Sequence, residues 1–179
     1  MLRNKRAFWF WVIMIILVIG MIYKGSATPY AQQDIKPFLR AHFVWTAETF
    51  PNISFNYGGE WVSSAQPYAF FEFVVRKASH VSEYFLLTFM MINLFMTTVM
   101  SRGLCYLSGS GLAFIYALFD EWHQKFVPGR TGHLIDACTF DLSGMILAMI
   151  AIFLLDIYFL FFYTSSQRNF YTNDQTLPD

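Results

Sequence analysis

The stretch Tyr84–Asp120, YFLLTFMMINLFMTTVMSRGLCYLSGSGLAFIYALFD, carries one charged side chain, Arg102, before it closes on Asp120. Arg102 divides it into two uncharged runs, Tyr84–Ser101 and Gly103–Phe119. Each is close to the ~17–25 residues that cross a hydrocarbon core as helix. Working outward, Ala7–Tyr23 is another uncharged run, preceded by Arg3, Lys5 and Arg6. Gly25-Ser26-Ala27 would suit a signal-peptide cleavage site, but the apolar run exceeds the ~7–15 residues usual there. A retained anchor is expected. Ala137–Thr164 is the last such run, apolar apart from Asp141 and Asp156. The expectation is an all-α, polytopic membrane protein with about four transmembrane helices, near 7–23, 79–101, 103–120 and 137–163, in a membrane domain spanning 1–164.

Composition agrees. Of 179 residues, 56% are hydrophobic, 20% aromatic and only 13% charged, about half the charged share of a soluble domain. A chain this short cannot hide so much apolar surface in one soluble core. Lys plus Arg and Asp plus Glu are 12 each, so no bulk field selects nucleic acid or any other charged polymer. The two cysteines, Cys105 and Cys138, fall at opposite faces of the expected topology and should be free thiols.

Between the first and second spans, 24–75 is expected to form an outer-face loop rich in aromatic residues (Phe43, Trp45, Phe50, Phe55, Tyr57, Trp61, Tyr68), which suit an interfacial bed. Gly58-Gly59, flanked by Phe55-Asn56-Tyr57 and Glu60-Trp61-Val62, predicts a short β-hairpin. The segment 165–179 is expected to be a polar, disordered cytoplasmic tail. The Arg3-Lys5-Arg6 cluster places the N-terminus in the cytoplasm, and four spans return the C-terminus there. Lys36, Arg40, Arg76 and Lys77 then lie on the outer side, against the positive-inside tendency.

Folding the spans alternately brings the polar clusters to one end: Gln32, Gln33 and Asp34; Lys77, His80 and Glu83; Asp120, Glu121, His123 and Gln124; Arg130, His133, Asp136 and Asp141. The opposite end has Arg102, Arg168 and little else. Lys77, His80, Glu83 and Tyr84 share a helix face, as do Tyr116, Asp120, His123 and Gln124. Glu121 falls about 100° from Asp120, so both carboxylates reach one centre only if the helix ends there, and Pro128-Gly129 supplies a turn. Such a ring can shuttle protons, hold an ion or grip an anionic headgroup. Charged residues at helix ends are more commonly solvated, and Glu83 with Arg130 could be structural glue. His133 in its polar loop and Asp156 at the far interface are given no functional role. A mixed metal set of His80, Glu83, Asp120 and His123 completes no known pattern, so no metal or other cofactor is expected. Ser79, Ser82 and Ser143 lack a nucleophile-elbow signature.

These residues resemble the VanZ family of small polytopic bacterial membrane proteins. Arg76-Lys77-Ala78-Ser79-His80-Val81-Ser82-Glu83-Tyr84 resembles the family's Arg-Lys-x-x-His-x-x-Glu-Tyr helix start. Asp120-Glu121-Trp122-His123-Gln124-Lys125-Phe126-Val127-Pro128-Gly129-Arg130, with Asp136 six residues beyond, resembles its Asp-Glu-x-x-Gln-x-Phe-x-Pro-Gly-Arg signature. Ser26–Asp34 resembles the polar segment after the first helix. One departure stands: the pattern has Asp or Asn one helical turn after Asp136 and then Gly, whereas here Asp141 comes five residues on and Gly144 follows, so Asp141 ranks second among the site candidates.

The resemblance implies a cell-envelope setting and, for some members, low-level teicoplanin resistance, without implying a reaction. The leading expectation is an outer-face site in which Lys77, Gln124, Arg130, Asp136 and Gln33 bind the headgroup of a membrane lipid or an amphiphilic antibiotic. The alternative is a membrane-embedded enzyme that modifies a lipid or glycolipid, with His80, Glu83, Asp120 and Glu121 as acid–base groups. A small transporter or assembly subunit, in an oligomer, is the third.

Overall fold

The computed structural model describes residues 2–174, with side chains described as far as Phe162. In chain order the elements are α1 (Lys5–Ala27), α2 (Tyr30–Gln33), α3 (Lys36–His42), β1 (Ser54–Tyr57), β2 (Glu60–Ser63), α4 (Pro67–Met96), α5 (Arg102–Gln124), α6 (Leu134–Asp136), a π-helical turn (Ala137–Asp141) and α7 (Leu142–Asp174). The fold is thus mostly helical, with a single hairpin. Residues expected to be a disordered tail remain helical through Asp174; 175–179 lie outside the described residues.

Among the described residues, three helical stretches are long and apolar enough to cross a membrane: Lys5–Ala27, Arg102–Gln124 and Leu134–Phe162. The expected fourth, α4, differs in two ways. It starts at Pro67, inside the segment expected to be a loop, so it carries Glu72, Arg76, Lys77 and Glu83 before its uncharged part. It also stops at Met96, because Thr97 and Thr98 turn their hydroxyls back onto the carbonyls of Leu94 and Phe95. The uncharged part left inside the helix, Tyr84–Met96, is shorter than a hydrocarbon core requires. Instead α4 is the central helix, packed against α1, α5 and α7.

The helices alternate in direction. At one end Arg3 N–H bonds Thr97 O at 2.8 Å, and Arg102 pairs with Asp156 at 2.5 Å; Asp156 therefore has a partner that sequence position did not reveal. At the other end lie the close of α1, the middle of α4, the close of α5 and the start of α7. This places the polar clusters together, as folding the spans alternately required. Cys105 and Cys138 are free, one buried and one exposed.

Apolar residues point both ways. Ile15, Val18 and Ile22 of α1 are buried with Tyr84, Leu87, Met91, Ala113, Ala117 and Met145. Outward stand Trp9, Ile13, Ile16 and Leu17 of α1, Leu107 and Ile115 of α5, and Ile150, Phe153 and Leu154 of α7. An exposed apolar coat this extensive on helices is a lipid-facing surface. Among helices in lipid, close packing replaces the hydrophobic driving force. Small residues provide it here. A Cβ on Gly109 would sit 2.6 Å from the Ile92 side chain, and one on Gly144 would sit 2.2 Å from the Val81 carbonyl oxygen. Glycine thus sets the α4–α5 and α4–α7 crossings.

The predicted hairpin is present. Tyr57 pairs with Glu60 across Gly58-Gly59, whose φ values of 60° and 92° are those a tight two-residue turn demands. Nearby, Trp45 stacks on Phe43 and Tyr68 and meets Phe50 and Phe71 edge-on.

Candidate functional site

At the polar end, α4, α5 and the π-turn each contribute one side chain to a buried triad. His80 Nδ1 lies 2.9 Å from Asp141 Oδ1 and 3.9 Å from Glu121 Oε1. Both carboxylates have no exposed side-chain surface, and His80 retains 12%. Glu121 is fixed from behind, where the His133 backbone N–H donates to its Oε2 at 2.8 Å. The loop approaches so closely because Gly132 has no side chain: a Cβ there would lie 2.0 Å from the Glu121 carbonyl oxygen.

The π-turn explains how Asp141 arrives. Leu142 N–H bonds the carbonyl of Ala137, five residues back, and that wide turn brings residues five apart onto one face. Asp136 and Asp141 therefore both point inward, and both are buried. The five-residue spacing that lowered the rank of Asp141 is compensated by the local geometry, so Asp141 belongs at the centre.

A second group surrounds Asp136. Its Oδ1 receives the Lys77 ammonium and the Tyr57 hydroxyl at 2.5 Å. The Lys77 Nζ also lies 4.7, 5.3 and 5.5 Å from the rings of Tyr57, Phe73 and Phe140, an arrangement favourable to a partly desolvated cation. Burial, together with the bond to Asp136, pushes the Tyr57 hydroxyl well above its ordinary pKa. Tyr57 is therefore a proton donor across the physiological range.

A third group closes the end of α1. Arg130 donates from Nη2 to Gly25 O at 2.5 Å and Gln33 Oε1 at 2.6 Å, and from Nε to Thr28 O at 3.4 Å. Gln33 Nε2 donates to the same Gly25 carbonyl at 2.8 Å. A cation on the last carbonyls of a helix complements its dipole. Burial and the neighbouring Arg76 guanidinium both lower the Arg130 pKa from its usual value. Lys36 bonds the Tyr30 hydroxyl, which raises its pKa, and lies 3.3 Å from Glu72.

Two cavities meet at His80. One, of about 230 Å³, is walled by Tyr30, Lys36, Tyr57, Phe73, Arg76, Lys77, His133 and Asp136, among others. The other, of about 240 Å³, is lined in part by Gln33, Arg76, Ser79, Glu83, Asp120 and Arg130. Glu72, Arg76, His80 and Gln124 border both. Arg76 lies over the Tyr30 ring at 5.2 Å, and among the described residues no carboxylate forms an ion pair with it.

The expected site residues thus converge on one end but divide by task. His80 and Glu121 join the triad. Asp120, bonded by Gln124 Nε2 at 2.9 Å, and Glu83 face the second cavity instead. No ion pair joins Glu83 to Arg130 among the described residues. The weighed metal set does not converge: His123 turns to α1, 3.4 Å from the Ser26 hydroxyl and with its ring tilted against Tyr23. Sequence reasoning missed Tyr57, Glu72 and Arg76 as site residues. Arg76 sat within the quoted motif. Tyr57 lies 79 residues before its partner, and no spacing rule connects them.

Apolar helices with a lipid-facing coat, gathering buried Glu and Asp with half-buried His, Lys and Arg side chains at one end, define a polytopic membrane protein with a polar site at one face. The family model of VanZ-LLP1, described as VanZ/LLP1, matches residues 10–163. The chain belongs to that VanZ-like family. No curated protein and no solved structure gives a match.

Proposed function

We propose that this VanZ-like protein acts in the bacterial cytoplasmic membrane, with its polar end at the outer face and both termini inside, α4 returning the chain across the membrane while enclosed by α1, α5 and α7. There it binds an anionic headgroup, of a lipid or an amphiphilic glycopeptide such as teicoplanin, and so lowers the effect of lipid-directed antibiotics. The observation that carries this reading is Arg76. It borders both cavities, repels the Arg130 guanidinium and has no carboxylate partner among the described residues. Lys77 is committed to Asp136 and Arg130 to α1, so Arg76 is the cation available to form charge-assisted bonds with a ligand.

The test is teicoplanin susceptibility in a Gram-positive host lacking its own homologue, with variants matched for membrane abundance. Wild type should protect, and Arg76→Ala should remove most protection. Lys125→Ala, at an exposed position, should protect fully. Equal protection by wild type and Arg76→Ala would sink the headgroup reading. The enzymatic alternative draws support from the His80–Asp141 contact at 2.9 Å, where a carboxylate orients an imidazole beside a cavity. Altered lipid products in cells expressing wild type but not His80→Asn would favour it.

A further inference from the structure

Two carboxylates with no exposed side-chain surface face one imidazole, and the charge there does not balance. Glu121 and Asp141 bring two negative charges if ionised. Lys77 is taken by Asp136 and Arg130 by Gly25 and Gln33, and among the described residues neither carboxylate forms an ion pair with a Lys or Arg side chain. Protonated His80 would cancel only one charge, and an uncompensated buried charge is expensive.

The oxygens add a separate observation. Glu121 Oε1 and Asp141 Oδ2 are buried without a hydrogen-bond partner. Such orphans are rare in folded proteins and call for an explanation. One ligand atom from each of His80, Glu121 and Asp141 lies within 4.8 Å of the others.

We propose that His80 Nδ1, Glu121 Oε1 and a carboxylate oxygen of Asp141 hold a divalent first-row transition-metal ion of the zinc class. One nitrogen and two carboxylates suit such an ion. Metal–ligand bonds of ~2.0–2.2 Å around a tetrahedral ion place neighbouring donor atoms roughly 3.3–3.6 Å apart. The 2.9 Å between His80 and Asp141 would open by about half an ångström on these bond lengths. The 3.9 Å to Glu121 needs a side-chain shift of about half an ångström by the same bond lengths. The His133 N–H on Glu121 Oε2 is the outer-shell contact that leaves Oε1 turned to the metal. Three protein ligands leave a coordination position open, and His80 borders both cavities, where water or an anionic oxygen would complete the shell. The ion would turn the orphaned Glu121 Oε1 into a ligand and neutralise the triad.

The site stands independently of the headgroup reading, because its readout is metal content and not antibiotic susceptibility. The full chain, purified in detergent without a histidine tag and stripped with EDTA, would be titrated with Co²⁺ and followed by its visible absorption, then by displacement with Zn²⁺. Wild type should bind close to one ion per chain. His80→Asn, Glu121→Gln and Asp141→Asn should each weaken binding by ~100-fold or more, the upper range seen even for outer-shell changes. His42→Ala and His123→Ala should bind as wild type does. No cobalt band in wild type at micromolar protein would overturn the proposal, as would undiminished binding in Glu121→Gln and Asp141→Asn. Loss of binding in His42→Ala would assign the ion to the surface and overturn it equally. Should Asp141→Asn not elute as a single folded species, the wild-type titration and the other two variants still decide.

Discussion

Tyr57 shows how one side chain joins distant segments. It reaches from the hairpin to Asp136 at the entry of α7, and its ring helps enclose Lys77. Removing its hydroxyl leaves Asp136 with Lys77 but without a donated hydrogen bond to a charged acceptor, a contact worth about 1.5–3 kcal/mol. Tyr57→Phe should lower stability by an amount in that range, read from thermal unfolding in detergent at neutral pH. The pH dependence has a definite sign. The folded-state pKa of Tyr57 is raised above its ordinary value of 10.0, so its contribution is fully present below about pH 10. It declines as pH rises beyond that value, because only the unfolded chain then ionises. The stability gap between wild type and Tyr57→Phe should stay constant from about pH 7 to 9.5 and narrow at higher pH. A gap that widens there would contradict the burial of this hydroxyl.

At the level of elements, two local departures from ideal helix position the site. The π-turn over Ala137–Asp141 inserts one extra residue and aims both Asp136 and Asp141 inward. Gly144, soon after it, lets α7 approach α4 so closely that a Cβ would strike the Val81 carbonyl oxygen at 2.2 Å. Gly144→Ala should therefore force the helices apart and cost about 1–3 kcal/mol or more, the range for overpacking. Gly111 is the control. It lies within α5, and a methyl group added there would meet nothing within 4 Å. Gly111→Ala should be neutral or stabilising by up to ~1 kcal/mol through helix propensity. Thermal unfolding of the two variants compares them directly. Equal melting would mean the α4–α7 crossing has more room than these distances allow.

For the whole molecule, orientation is the property that gives the polar end its setting, and the cysteines report it. Cys138 is exposed at the polar end, while Cys105 is buried toward the other. A membrane-impermeant maleimide applied to intact cells should label wild type and Cys105→Ala, and should not label Cys138→Ala. Labelling of Cys138 only after lysis would place the polar end in the cytoplasm and overturn the outer-face proposal. Under the outer-face proposal, the Lys and Arg residues that would oppose the positive-inside tendency are partly accounted for by pairing. Lys36 lies against Glu72 and Asp34, and Lys77 against Asp136, so their charges are compensated within the protein.

The apolar runs made the membrane setting legible, since length and the absence of charge are properties of contiguous residues. Gly58-Gly59 likewise announced the hairpin, because a tight turn is decided by the two residues in it. The gathering of polar groups at one end followed from alternating helix direction alone. Local sequence did not reveal where α4 begins and ends, since Pro67 and the hydroxyls of Thr97 and Thr98 set those limits within a longer uncharged pattern. Nor did it show which acid meets His80. Helical spacing favoured Glu83 and Asp120, whereas the triad took Glu121 and Asp141. Those partners come from three different segments, and which of them meet depends on helix rotation and on one π-turn. Both are settled by packing, through glycine contacts at Gly109, Gly132 and Gly144 that only the assembled helices create.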